Sequence, residues 1–394
     1  MEVSSIEPML PSEGGRVLED NTAELLTSAS RLAGRIHPLV LESVGALVRS
    51  MNCYYSNLIE GHETHPRDID RALANDFSNE PRQRDLQQEA VAHIHVQRLI
   101  DEGQDPQVWP ASATYARWLH EQFCERLPDE MLWIENPDTG ERIRIVPGQL
   151  RTHDVKVGRH LPPPHGALPS FLARFDEAYS GPMLSRLRQI QVIGAVHHRF
   201  LWIHPFLDGN GRVARLMSHA LLKRLGVGAS LWSVARGLAR EETKYKHLLM
   251  TADGPRAGDR DGRGNLTERG LVAFCEFFLE RALDQVAFMS ELLEPAALLQ
   301  RMERHVEDEV RAKRLPRGSF LVLREAALNG EVERGRVPAI TGYEERAARM
   351  VTAALIDKGM LVSPTSRSTL RLGFPADVAD RWFPRLYPVD GSRA

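Results

Sequence analysis

The sequence predicts a mainly α-helical protein with one short β-hairpin, followed by a smaller C-terminal unit of winged-helix type. Three observations predict it. Long stretches before and after residue 139 repeat their apolar residues at helical spacing. Only Thr139 to His165, "TGERIRIVPGQLRTHDVKVGRHLPPPH", alternates, carries glycine turns and ends in a triple-proline stop, which predicts short strands in a hairpin. From Arg311 onward the chain turns basic, with 15 Lys and Arg against 9 Asp and Glu. There "PAITGYEERAARMVTAALIDKGMLV" followed by "STLRLGF" reads as helix–turn–helix and then strands.

At 394 residues the chain exceeds what one core usually uses. The expected units are a helical region over 1–110, a central core over 111–294 and the winged-helix-like unit over 295–394, with the last boundary at Glu294-Pro295. The start, through Gly15, is expected to be loose. Glu19 to Leu47 has helical composition, with Asn21 and Thr22 as polar caps, and "VGALVRSMNCYYSNLIEG" reads as another helix that Gly61 stops. "DLQQEAVAHIHVQRLIDEG" is a helix ending at Gly103, and "SATYARWLHEQFCERLP" another that Ser112 can cap. After the hairpin, "LPSFLARFDEAYS" resumes helix. Ile190, Ile193, Val196, Phe200 and Ile203 then line one buried helical stripe, and Val213, Leu216, Met217, Ala220, Leu221 and Leu225 line the next. "DGPRAGDRDGRGN" is a polar loop before a long helix, "LTERGLVAFCEFFLERALDQVAFMSELLE".

Composition narrows the function classes. A net charge of −3 argues against a surface that coats nucleic acid. The three cysteines form no CxxC pair, so neither a disulfide framework nor a cysteine zinc site is expected, and a reducing cytoplasm fits. The N-terminus has no basic start followed by an apolar run, as a signal peptide would, and no stretch reaches the length of a membrane span. "DRDGRGN" lacks the glycine position and the twelfth-position Glu of a calcium loop. His197 and His198 are adjacent, so they point to different sides of a helix and are no zinc pair.

Between the two central stripes stands "HPFLDGNGRVAR", His204 to Arg215. Two glycines around an asparagine weaken a helix for no packing gain. They do allow a close ligand approach. A helix N-terminus offers free N–H groups and a partial positive charge, so Gly209 and Gly211 read as an anion nest, phosphate being the favoured anion. Arg212 and Arg215, three apart, share a helix face and suit a polyphosphate. Asp208 would repel phosphate unless Mg²⁺ bridges the two. His204, four residues earlier, can take a proton from a hydroxyl at neutral pH. Taken singly, each residue is better explained as a turn, a solvated face or a structural histidine. Their combination in one loop points to transfer of a phosphate-containing group from a Mg-nucleotide to a hydroxyl.

"HPFLDGNGRVAR" resembles the signature of Fic-domain proteins, His-x-Phe-x-Asp/Glu-Gly-Asn-Gly-Arg-x-x-Arg, with every fixed position filled. The resemblance implies a Fic-type helical core with a hairpin flap and adenylylation: AMP moves from ATP to a Ser, Thr or Tyr hydroxyl of a protein, and pyrophosphate leaves. It implies His204 as general base, Phe206 as loop anchor and Asp208 as Mg²⁺ ligand. Gly209, Asn210 and Gly211 become the anion hole, Arg212 binds phosphate and steadies the loop, and Arg215 reaches the γ-phosphate. "VKVGRHLPPP" resembles the flap, with Val157, Gly158, Arg159 and His160 near the nucleotide and an exposed edge for a target peptide. "KYKHLLMTAD" resembles the nucleotide-side segment. Tyr245 either packs near the base or ribose or is an ordinary core aromatic, and Asp253 stands where relatives often have Asn.

"SNLIEG" resembles the family's inhibitory helix, Ser/Thr-x-x-x-Glu-Gly/Asn, here about residues 46–61. The resemblance implies that Glu60, with Ser56 one turn earlier, pairs with Arg215 and misplaces the γ-phosphate. The same Glu60 can instead activate a water that removes AMP from a modified target. Other readings keep the fold but move phosphate or UMP, or make the chain a DNA-binding regulator through its C-terminal unit. That unit carries few basic groups on its recognition helix, which is thin for phosphate neutralisation. The implied partners are ATP and target proteins, self-modification included, with a homodimer compatible with the family.

Overall fold

The computed structural model of the protein describes residues 1–12, 15–135 and 140–387. Helices dominate it. The N-terminal region holds α1 (Arg16–Gly34), α2 (Pro38–Ile59), α3 (Pro66–Leu73) and α4 (Pro81–Asp101). The centre begins with α5 (Ala113–Cys124) and the hairpin β1 (Trp133–Glu135) and β2 (Arg142–Arg144). It continues through α6 (Leu168–Tyr179), α7 (Arg186–Gln191), α8 (Ile193–Ile203), α9 (Asn210–Arg224), α10 (Val234–Arg240), α11 (Glu242–Ala252) and α12 (Glu268–Leu292). The C-terminal part holds α13 (Pro295–Arg311), α14 (Ser319–Asn329), α15 (Val337–Thr341), α16 (Glu345–Asp357), β3 (Leu361–Val362), β4 (Arg371–Leu372) and α17 (Ala376–Trp382).

Local chemistry sets several of these limits. Pro is the first residue of α2, α3, α4 and α13, where its missing N–H costs nothing. Ser112 caps α5 by accepting from the Tyr115 N–H at 3.2 Å, and Thr267 caps α12 through Gly270. Gly61 turns the chain out of α2 at φ 82°, with the His62 N–H returned to the Asn57 carbonyl at 2.9 Å.

The long helix α12 is the axis of the core. α1, α8, α10 and α11 pack along it. α9 lies against α8, and α5 and α4 close over α9. α2 bridges α4 and α10 and touches α9, which brings the end of the N-terminal region onto the central motif. Val213, Leu216, Met217, Ala220, Leu221 and Leu225 are all buried, as their spacing predicts.

Four expectations need correction. Asn21 and Thr22 cap no helix: α1 has already begun at Arg16, and Thr22 is buried inside it with its hydroxyl donating to the Leu18 carbonyl at 2.6 Å. The first twelve residues are not loose: Ile6 and Met9 are buried, and Arg199 Nη2 donates to the Pro8 carbonyl at 2.7 Å. Two apolar side chains and a buried arginine fork outweigh what composition suggested. The N-terminal helices divide at Arg35–His37, before Pro38, rather than near Leu47, because proline opens a helix and cannot sit inside one. The hairpin begins earlier than Thr139: β1 pairs antiparallel with β2 in the register Trp133↔Arg144, Ile134↔Ile143, Glu135↔Arg142. From there to His165 the chain is loop except for one bridge, Val157↔His160, and Thr139 itself lies outside the described residues.

Candidate active site

α8 ends at His204, whose backbone is left-handed (φ 48°, ψ 62°), unusual for a residue with a side chain and typical of functional turns. The chain then loops through Phe206 and Asp208 and enters α9 at Gly209, left-handed at φ 79°. Phe206 is fully buried and stacks on His120, ring centroids 4.0 Å apart, so it pins the loop to α5. Asn210 closes the loop on itself. Its Oδ1 accepts from the Phe206 N–H at 3.0 Å and its Nδ2 donates to the Phe206 carbonyl at 2.9 Å. That leaves no side-chain cap at the start of α9, so its first-turn N–H groups remain an anion nest.

A carboxylate faces that nest. Glu60, at the end of α2, pairs its Oε1 with Arg215 Nη2, and the same oxygen lies where a Cβ on Gly211 would stand. Glycine at 211 is what permits the approach. Ser56 completes the grip: its Oγ accepts from Arg215 Nε at 2.8 Å and its carbonyl from Nη2 at 3.1 Å. The Arg215 side chain is 1% exposed and that of Glu60 31%. Burial pushes the Glu60 carboxyl up, but the charge and hydrogen bond of Arg215, with Arg212 and His62 behind, bring it net below its ordinary value.

The second arginine has its own partner. Arg212 Nη1 pairs with Glu89 of α4, Nη2 lies 3.4 Å from Asp208, and the guanidinium sits over the Phe123 ring at 5.0 Å. Glu89 is 2% exposed and also meets His62 Nδ1 at 2.9 Å. Sequence reading missed Glu89, although an acidic residue on the stripe shared with Leu86, Ala90 and His93 was a signal.

His204 is half-buried. Burial, then the nearby charges of Arg151 and His160, lower its imidazole to about 4, while Asp208 and the Leu201 carbonyl act in the opposite direction. It is therefore neutral at physiological pH, free to accept a proton. Asp208 is the exposed carboxylate of the group, its side chain 57% accessible. Among the described residues no cluster of three His, Cys, Asp or Glu could hold a metal alone. One hard carboxylate beside a phosphate nest fits Mg²⁺, which takes one or two protein carboxylates and the rest of its oxygens from phosphate and water.

The flap residues lie beside this loop. Val157 and His160 exchange backbone hydrogen bonds at 3.0 and 2.9 Å across Gly158 and the exposed Arg159, and His160 Nε2 bonds the Trp202 carbonyl at 2.7 Å. Tyr245 is placed as a core aromatic. It is 2% exposed and its hydroxyl bonds His197 Nε2 at 2.8 Å, whose Nδ1 meets Ser218 of α9 at 3.0 Å. Asp253, at the end of α11, is held 3.1 Å from His198 Nε2.

The helical core thus presents one histidine, one carboxylate, an uncapped glycine turn and two arginines on a single loop and the first turns of α9. The family model for Fic/DOC matches residues 110–222, and the chain carries a Fic/DOC family domain. Relatives described as "Protein adenylyltransferase Fic" from Drosophila erecta and Drosophila melanogaster are each 33% identical over 109 residues, 28% of this chain. That match spans only 21% of those relatives' length. In fold, a Fic family protein from Desulfovibrio desulfuricans G20 is similar over 92% of this chain and 98% of its own, with TM-score 0.54 and 16% identity. A Fic domain containing signaling protein from Bacteroides thetaiotaomicron VPI-5482 covers 69% of this chain and 96% of its own, with TM-score 0.50 and 17% identity. No helix among the described residues is long and apolar enough to cross a membrane.

Proposed function

We propose that the chain is a protein adenylyltransferase, held in check by its own α2. The observation that carries this reading is the Glu60 carboxylate seated on Gly211 and Arg215, at the place the nest offers to a phosphate. In transfer, the neutral imidazole of His204 accepts the proton of a Ser, Thr or Tyr hydroxyl. The hydroxyl oxygen then bonds to the α-phosphorus of ATP, and the bond to the β-phosphate oxygen breaks, so that pyrophosphate leaves. The N–H groups at Gly209, Asn210 and Gly211 and the guanidinium of Arg215 hold the phosphate oxygens. Arg212 steadies the loop through Glu89 and Asp208. Mg²⁺ on Asp208 supplies charge neutralisation when bound. Val157 to His160 offer a backbone edge to the target segment. The target class is proteins with an accessible hydroxyl, this chain among them, in the cytoplasm. For 295–394, the run α14–α15–α16 followed by the β3–β4 pair supports the winged-helix-like reading.

The test uses α-labelled ATP with Mg²⁺ and follows label on protein in wild type, Glu60→Gly and Glu60→Gly/His204→Ala. Label in Glu60→Gly that vanishes with His204→Ala supports the reading. Absence of label from every variant, with lysate as target, overturns it and favours removal of AMP or a different nucleotide.

A further inference from the structure

One side chain ties the catalytic turn to the flap. Arg151 is 3% exposed although it stands in a loop. Its Nε donates to the His204 carbonyl at 2.9 Å, its Nη1 to the His153 carbonyl at 2.9 Å, and its Nη2 to the Pro163 carbonyl. Its backbone N–H donates to the Pro205 carbonyl at 2.9 Å. The nearest carboxylate, Asp154, is 3.6 Å away and 64% exposed, so the guanidinium is satisfied chiefly by carbonyls. A surface ion pair would not explain this burial. An arginine fork aimed at three carbonyls is a joint: five fixed N–H donors set the directions of the peptide planes they reach.

Those planes matter. His204 holds a left-handed backbone, and such a conformation persists only where its surroundings over-determine it. Arg151 contacts the carbonyl of that residue and, through Pro205, the next peptide. Its other two bonds hold His153 and Pro163, the two arms of the loop that carries the Val157–His160 turn. The second tie between loop and helix is His160 to the Trp202 carbonyl.

We infer that Arg151 is a positioning residue for His204: it fixes the turn that aims the imidazole and locks that turn to the flap that receives the target. This rests on the adenylyl-transfer reading and deepens it. The guanidinium also acts on the imidazole through its charge. The groups facing His204 are Arg151 and His160 from the flap segment, Asp208 from the motif loop and the Leu201 carbonyl of α8. Of the charged ones, Arg151 acts most strongly, and in the direction that keeps His204 unprotonated.

Two variants in the Glu60→Gly background separate position from charge. Arg151→Lys keeps the charge but loses the fork. Its kcat for AMP transfer should fall by about 30-fold or more, of the order expected from a small misplacement of a catalytic group, with the KM for ATP changed less than about threefold because the α9 nest is untouched. Its His204 titration should stay near that of the parent. Arg151→Met loses both fork and charge. Its kcat should fall likewise and its His204 titration should move to higher pH. The titration is read by NMR of histidine-labelled protein and needs no turnover, so it reports on Arg151 even where the parent transfers no AMP, a result that would count against the function reading alone. Unchanged kcat in Arg151→Lys, or equal losses in kcat and ATP binding, would overturn the positioning role. Should Arg151→Met fail to fold, Arg151→Lys and its kcat-against-KM split still decide.

Discussion

Glu60 and Arg215 neutralise each other across the N-terminal turn of α9, with Ser56 holding the far side of the guanidinium. The pair joins the end of α2 to the uncapped start of α9. Any ligand that needs Arg215 must compete with this carboxylate, and a competent state populated at only a few per cent lowers apparent activity by that fraction.

Glu60→Gly should therefore raise AMP transfer by roughly tenfold to a hundredfold, the range that release of a closed latch allows. Ser56→Ala should raise it less, since one hydrogen bond is lost and the charge pair stays. Calorimetry of Mg-ATP binding checks the same point without turnover: equal activity and affinity in wild type and Glu60→Gly would remove the latch.

His204→Ala should cost about 10²- to 10⁴-fold in transfer, the usual contribution of a placed general base. With its imidazole lowered to about 4, His204 is the acceptor form throughout the neutral range. The rate in Glu60→Gly should thus hold level as pH falls below 6 and drop only as pH descends towards about 4. A kcat that halves near pH 6.5, the value of a free histidine, would contradict the buried setting.

Stability should weaken in acid before the carboxylates titrate. Burial lowers His93 and His197 to about 3, and His120 to about 4. Between the unfolded value near 6.5 and those folded values, the unfolded chain binds protons that the folded chain refuses. Stability therefore falls as pH drops through that window. His62, raised chiefly by its hydrogen bond to Glu89, acts in the opposite direction as a single group. Melting temperatures that stay flat from pH 7 to 5 would rule this out.

Glu89→Gln should lower stability by up to about 3–5 kcal/mol, because Arg212 would lose its buried charge partner and keep only the exposed Asp208. Glu89→Gln/Arg212→Met should lose less than Glu89→Gln alone, since removing both charges removes the desolvation penalty with them. Denaturant melts of the three proteins decide. A double variant weaker than the single would show that the pair stabilises more than it costs.

Much of this site was legible as a string. His204, Asp208, Gly209, Asn210, Gly211, Arg212 and Arg215 are local in sequence, and a loop between two apolar stripes can be read from period alone. Ser56 and Glu60 were legible only through the resemblance of "SNLIEG" to the inhibitory helix, which also implied the pairing with Arg215. Arg151, Glu89, His62 and His120 were not found, because their partners stand 27 to 123 residues away along the chain and only packing brings them together. Tyr245 was readable only as an aromatic in a helix, and its hydroxyl's partner on α8 depends on how α11 crosses it.

Helical class, the glycine nest and the order of its donors follow from short-range chemistry: residue periods, caps, and glycine's access to left-handed backbone. The tertiary structure decided which charges meet. It set Glu60 on Gly211, gave Arg212 a buried carboxylate, and wound the first twelve residues into the core. Each of these depends on long-range contacts whose energies are comparable with a single ion pair. Local sequence carries no record of distances between elements that meet only after folding.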